Sequence, residues 1–462
     1  MSPAARPATG GDETLAHSLQ PRHVTMISLG GIIGAGIFVG SGAAIHLAGP
    51  CVLLTYALCG SLVFVIMRML GEMAVARPGV GSFTGYAALG LGPWAGFVTG
   101  WLYFYFWVVT IAVEAMAGAN MLTGLVPLPA WAISAGLVAI TAFINLLSVR
   151  TYGECEFWFA ALKVATITGF IAVGAAYIFG FGPGVGHLAA VFAAHGGAIP
   201  LGAGAVFTAI PVVIFSMMGS EVATIAAVET ENPALNVVRA ARTVTMRILF
   251  FYLGSVAVIL AILPWDQVVP GFSPFASAMA VVHVPGASAF MQVVIFTAVV
   301  SCLNSAVYVT SRMLFEMAHR GDAPAACGHV SAAHVPARAI VLSAIAGFAV
   351  VLTSIVSPTH VFVFLLQSSG AIILMVYMLI ALSQIALRRK LEAADEPLPV
   401  KVWLFPGLSY ALVAGILAVL AMMALSPDQA EQVGLSAAVF ALALAAYGLR
   451  RRARHPAPAR PA

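Results

Sequence analysis

Three ionisable side chains stand inside long apolar runs of this sequence: Glu114, Lys163 and Glu221. A charge in hydrocarbon is costly, so such residues pair, line a polar path or couple an ion to a motion. Two glycine-punctuated segments could serve them. One is Gly30-Gly31-Ile32-Ile33-Gly34-Ala35-Gly36, followed by Gly40 and Gly42, six glycines in thirteen residues. The other is Phe215-Ser216-Met217-Met218-Gly219-Ser220-Glu221. Each glycine weakens a helix by about 1 kcal/mol relative to alanine, so both segments predict interrupted helices. A broken helix presents amide N–H groups at one end and carbonyls at the other. The N–H end attracts a carboxylate, and the carbonyls accept from an ammonium. Together they suit a molecule carrying both charges, an amino acid.

Plainer readings exist for each feature. Glu114 stands toward the outer end of its run, where a carboxylate could reach interfacial water. Lys163 lies about 9 Å into its helix at 1.5 Å per residue, and its stem could snorkel to the surface. Glu221 would be an end residue if its helix were straight. A single GxxxG-like pair would indicate close helix packing, which accounts less well for six glycines. Gly34-x-Gly36-x-x-x-Gly40 mimics a dinucleotide loop, but no strand precedes it.

The elements that must hold these residues are membrane helices. Of 462 residues, 61% are hydrophobic and 8% charged, too few charges to cover a water-soluble surface. The mean hydropathy is +1.01. This composition excludes soluble enzyme domains and makes the lipid bilayer the chain's solvent. A span needs about 20 apolar residues. Twelve are predicted, at 24–47, 51–74, 93–119, 130–148, 157–180, 203–227, 246–264, 287–311, 339–356, 360–384, 402–425 and 433–449. Residues 1–22 lack the apolar core of a signal peptide, and the run after them is too long for one, so it is expected to stay as the first span.

With the N-terminus in the cytoplasm, 20 of the 21 Lys and Arg residues fall on one side of these spans, Arg239, Arg242 and Arg247 among them between the sixth and seventh. That split obeys the positive-inside rule with both termini cytoplasmic. Lys163 alone is left within a span. The net charge of +4 has no basic segment interleaved with aromatics behind it, so nucleic acid is not an expected partner. The five cysteines are unevenly spaced and form neither a disulfide framework nor a metal motif. No metal, cofactor or catalytic residue is expected. The histidines sit mostly in loops or near span ends, against a haem subunit. A channel would want a polar lining along several helices, whereas the polar groups here gather near one depth.

At GGIIGAGIFVGSG (30–42), RTYGECEFWFAALKV (150–164), FSMMGSEVATIAAVETENP (215–233) and SCLNSAVYVTSRMLFEMAHRGDAP (301–324) the sequence resembles the amino acid–polyamine–organocation superfamily, within it the bacterial amino acid transporter family. The resemblance runs from Arg22 to about Arg450. RHVTMISLGGIIGAGIFVGS (22–41), MRMLGEMAVARPGVGSF (67–83), GWLYFYFWV (100–108) and SSGAIILMVYMLIALSQ (368–384) are most similar to gamma-aminobutyrate permeases.

The resemblance implies an all-α integral membrane fold of the leucine-transporter type, with discontinuous helices 1 and 6. A cytoplasmic tail (1–22) would precede a core of five plus five inverted repeats at 23–392, with repeats near 23–180 and 200–390. Two further helices (393–450) and a basic tail (451–462) would follow. It implies proton-coupled import of a small amino acid, gamma-aminobutyrate foremost, by alternating access across the bacterial cytoplasmic membrane. Proline, aromatic or cationic amino acids, or exchange, are the alternatives.

Carried over by position, the substrate carboxylate meets the amides of Ala35, Gly36 and Ile37 beside Gly34. The carbonyls of Ile32, Phe215 and Met218 take the amine, next to Ser216. Phe215 also closes the site from outside, and Glu221 is linked to gating. The amine of Lys163 stands where sodium-coupled relatives hold their ion. A lysine, unlike an arginine, can exchange its proton when desolvated, so Lys163 is expected to couple transport to protons. Ala35 stands where many relatives have Ser or Thr, which leaves the amides to act without a hydroxyl. Glu114 or another acceptor is expected to partner an omega-ammonium.

Overall fold

The computed structural model describes residues 33–78, 80, 82–147, 149–181, 195–219, 221 and 247–454. In chain order its helices are α1 (Ala35–Phe38), α2 (Gly40–Ala48), α3 (Val52–Ala76), α4 (Phe83–Leu91), α5 (Pro93–Leu122), α6 (Ala130–Leu147), α7 (Val149–Ala176), α8 (Ala205–Thr208) and α9 (Ile210–Ser216). They continue with α10 (Gly254–Ile262), α11 (Pro274–Val281), α12 (Ala287–His319), α13 (Ala337–Leu352), α14 (Pro358–Ala393), α15 (Gly407–Leu425) and α16 (Ala430–Arg454). No strand occurs among the described residues.

Nine helical stretches among the described residues are long and apolar enough to cross a membrane, the first being the joined run Ala35–Ala76. A shorter apolar helix occupies Phe250–Ile262. The nine overlap the expected spans other than 203–227 and 246–264, and the shorter helix falls within the latter. Residues 24–32 of the first expected span and 222–227 of the sixth lie outside the described residues. The helix α4 lies between two expected spans, its nine residues being too short to cross a membrane. It forms because Ser82 and Gly92 bound it, Gly92 turning the chain at φ 105° where only glycine is unstrained. Pro93 then starts α5, at a position where its missing N–H costs nothing. Hydropathy marks only the apolar part of a helix. Thus α12 and α14 continue into polar turns carrying Glu316, Arg388 and Lys390, which are good helix formers.

The long helices α5, α12 and α14 are the packing centre. Close contact depends on glycine where backbones cross. A Cβ on Gly370 of α14 would stand 2.0 Å from the carbonyl oxygen of Pro211 in α9. Buried polar pairs tie α6, α7 and α12 together. Asn145 donates to the Asn304 side chain at 2.8 Å, and Ser301 donates to Glu156 at 2.8 Å. Gln432 donates to Gln367 and Ser436 to the carbonyl of Ser368, binding α16 to α14.

Several of the cations at the ends of the expected spans or after them tie neighbouring elements together. Arg388 and Gln384 bind buried Glu72 at 3.2 and 2.8 Å. Arg68 donates to the carbonyl of Lys401, and Lys390 caps the carbonyls of Leu89 and Gly90. Arg77 forks onto Glu396 at 2.6 and 2.7 Å and holds that carboxyl below its ordinary range. Arg247 departs from the expectation: it is 3% exposed rather than a loop cation.

Candidate substrate site

In the glycine-rich segment the described residues begin at Ile33. Gly34 has φ −144° and ψ −144°, outside the helical region, and α1 starts at the next residue and lasts only to Phe38. On the facing element α9 ends at Ser216. Met217 and Met218 then turn with N–H bonds to the carbonyls of Ile214 (3.1 Å) and Phe215 (3.3 Å). Gly219 follows at φ +85°, a left-handed conformation that glycine adopts without strain. The two breaks touch: a Cβ on Gly36 would be 2.8 Å from the Cα of Ser216. The orphan carbonyl of Ser216 accepts from the Tyr252 hydroxyl at 2.6 Å.

Glu114 is not an interfacial residue. It is 1% exposed, and its carboxylate accepts the Ala35 N–H at 3.0 Å (Oε1) and 2.9 Å (Oε2). The amide expected to receive a substrate carboxylate therefore holds a carboxylate supplied by the chain itself. This is what the dipole and orphan donors of a helix start favour. Glycine at 34 permits the contact, since a Cβ there would lie 2.6 Å from Glu114 Oε1 and 2.5 Å from Cys302 Cβ.

Lys163 is buried at 1% exposure, so it does not snorkel. Its charge acts on two buried acids, Glu114 and Glu156. Glu221 lies at the second break, with Oε1 accepting from the Tyr103 hydroxyl (2.7 Å) and the Gly219 N–H (3.2 Å). The charge of Arg247 acts on it. Each break thus has its own buried acid and buried cation.

A cavity of about 20 Å³ lies between the breaks, lined by Gly36, Phe215, Ser216, Met218 and Glu114 among the predicted residues. That is room for a water molecule or two and not for an amino acid, so the site is closed here. Phe215 packs on Phe106 at 5.6 Å between ring centroids. Phe106, Trp107, Thr110 and Cys302 complete the lining. Sequence reasoning missed these four, because an aromatic or a cysteine in an apolar helix reads as core. Ile37 is fully buried but does not line the cavity. Ile32 lies outside the described residues. A separate, wider cavity of about 290 Å³ is bordered by Val39, Asn120, Phe272, Ser277 and Gln292.

The site is thus a contact between Gly36 and Ser216 inside an apolar bundle, with Glu114 on the amide end of α1. The amino acid permease family model matches residues 23–450, and the chain belongs to that family of transporters, which are not enzymes. It is 44% identical over 443 residues to the gamma-aminobutyric acid permease of Bacillus subtilis (strain 168), covering 95% of this chain and 94% of the relative. It is 44% identical to the gamma-aminobutyric acid permease of Escherichia coli (strain K12), covering 91% of each chain. An aromatic amino acid transport protein of Corynebacterium glutamicum is 38% identical, covering 92% of this chain and 93% of the relative.

Proposed function

We propose that this protein is a proton-coupled amino acid permease importing gamma-aminobutyrate by alternating access. Twelve spans would cross the bacterial cytoplasmic membrane with both termini inside. Two inverted five-helix repeats, near 23–180 and 200–390, would form the core, flanked by the tail 1–22, two added helices at 393–450 and the basic tail 451–462. The observation that carries the reading is the Glu114 carboxylate on the Ala35 amide. It supports the helix start as a carboxylate receptor in a site closed by Phe215.

In this reading a substrate carboxylate takes the amides of Ala35, Gly36 and Ile37 and displaces Glu114. Two carboxylates sharing one amide end repel each other. Glu114 then turns to the substrate's ammonium, which in gamma-aminobutyrate lies too far along the chain for the carbonyls of Ile32, Phe215 and Met218. An unpaired ammonium in a closed site would be costly. Lys163 carries the coupling proton, and Glu221 with Phe215 gates the path.

Glu114→Gln should weaken gamma-aminobutyrate about tenfold or more, the effect of losing one charge-assisted bond. The same variant should be inhibited more strongly by butyrate, which has the carboxylate without the ammonium. Competition assays on both ligands check the pair of outcomes.

Substrate choice is tested by radiolabelled uptake in proteoliposomes against gamma-aminobutyrate, proline, phenylalanine, lysine and alanine. Gamma-aminobutyrate is expected to compete best. Strong competition by proline or phenylalanine, without gamma-aminobutyrate, would overturn the substrate and leave the family unchanged. The aromatic lining of Phe106, Trp107 and Phe215, with the relative named for aromatic amino acids, makes phenylalanine the second reading.

A further inference from the structure

Glu156 is a fully buried acid to which the transport reading above gives no task. It precedes Lys163 by two turns of α7, so both leave nearly the same face of that helix, about 10.5 Å apart along its axis. Helical side chains lean toward the helix start, which is the direction from Lys163 to Glu156, and the lysine's charge acts on this acid. Neighbouring residues of α12 reach the two acids that Lys163 serves. Ser301 donates to Glu156 Oε2 at 2.8 Å, and the Cys302 thiol bonds the Glu114 carboxylate. The charges of Glu114, Lys163 and Glu156 all act on that thiol. One buried lysine is thus shared by two buried carboxylates. Asn304 donates to Glu156 Oε1 at 3.5 Å, and Ser305 bonds the same carboxylate. Asn304 in turn accepts from Asn145, two residues before α6 ends at Leu147. These donors support the carboxylate form of Glu156 while burial supports the neutral acid, so the group can take up a proton and give it back.

We infer that Glu156 receives the coupling proton from Lys163 and passes it toward the cytoplasm, an inference that rests on the proton-coupled reading above. An Nζ–H bond of the Lys163 ammonium breaks, and the proton bonds a Glu156 oxygen. An ion pair becomes an amine and a carboxylic acid, two neutral groups that a dry interior favours over separated charges. The acid then releases its proton to water when the carrier opens inward, and Lys163 is recharged from the substrate side, where Glu114 stands. The order follows from the helix. With both termini cytoplasmic, the start of α7 at Val149 faces the cytoplasm. Glu156 then stands about two turns in and Lys163 about four, which puts the acid on the inward side of the lysine. The Asn145–Asn304 pair continues the polar groups toward the end of α6, which faces the same way.

The test is uptake of radiolabelled gamma-aminobutyrate into proteoliposomes at one acidic external pH and a series of internal pH values, with exchange measured in parallel. In the parent, uptake should rise with internal pH as release to the inside becomes possible. Glu156→Gln, of the same shape, should lose both accumulation and this dependence while keeping exchange. Ser301→Ala removes a donor to the carboxylate, so the acid keeps its proton to higher pH. Its rise should move up by about one pH unit, the size expected for one bond to a charged group. A carboxylate that only ties α7 to α12 would instead slow exchange and accumulation together and leave the profile in place. Where Glu156→Gln does not fold, the Ser301→Ala profile decides alone. Accumulation by Glu156→Gln as in the parent, or an unmoved Ser301→Ala profile, would overturn the relay while Lys163→Gln still fails to accumulate. Accumulation by Lys163→Gln as well would overturn the proton-coupled reading, and the relay with it.

Discussion

Gly36→Leu should abolish substrate uptake while the protein still inserts in the membrane. Even a methyl group at this position would meet the Cα of Ser216 at 2.8 Å, a backbone atom that no rotamer change can move. The cost falls on the contact between the two breaks, where a substrate carboxylate must reach the amide of residue 36. Because α1 is only four residues long, it can shift without dismantling the bundle. Gly36→Ala should accordingly keep the fold and cut uptake about tenfold or more, the loss expected when approach to an anion is blocked by a few tenths of an ångström to an ångström. Uptake per molecule inserted, with size-exclusion profiles as the folding control, measures this. Normal uptake by Gly36→Leu would remove the broken-helix site.

Gly370→Ala should cause the largest loss of stability of any glycine substitution in the bundle. The added Cβ would fall 2.0 Å from the carbonyl oxygen of Pro211 and 2.5 Å from its carbonyl carbon and Cα. Both partners are backbone, so α14 and α9 must separate, as in any overpacked core, at about 3 kcal/mol or more. Small residues where membrane helices cross serve this close approach. Gly415→Ala is the matching control, since its Cβ would meet nothing within 4 Å. Melting temperature and yield should drop for the first variant and hold for the second. A stable Gly370→Ala protein would mean that this crossing is looser than the structure shows.

The features legible in the sequence were those that break a local rule. Six glycines within thirteen residues contradict helix propensity, and Gly34 among them is non-helical, with α1 starting only after it. Glu114 and Lys163 contradict hydropathy, and both are buried at 1% exposure. What Glu114 contacts was not legible, because its partner is a backbone amide 79 positions earlier, and side-chain type carries no record of that. Glu156 escaped notice for a simpler reason. The span was expected to begin at 157, whereas α7 begins at Val149 and carries Glu156 two turns inside, fully buried. Arg247 was grouped with Arg239 and Arg242 as a loop cation, yet it acts on buried Glu221. Phe106, Trp107, Thr110 and Cys302 line the closed cavity with side chains that packing alone would also explain. Long-range pairing fixes these roles, and one-dimensional patterns do not record it.

The measurement closest to the central claim is accumulation of radiolabelled gamma-aminobutyrate in proteoliposomes under an imposed pH gradient, with and without sodium, for the parent protein and Lys163→Gln. A permease whose buried lysine exchanges the coupling proton should accumulate substrate when the outside is acidic and ignore sodium. Lys163→Gln should lose that accumulation and retain exchange of internal for external substrate, because the proton then no longer biases the two states of the carrier. Accumulation that requires sodium and does not respond to the pH gradient would contradict the account, as would a Lys163→Gln protein that accumulates as the parent does.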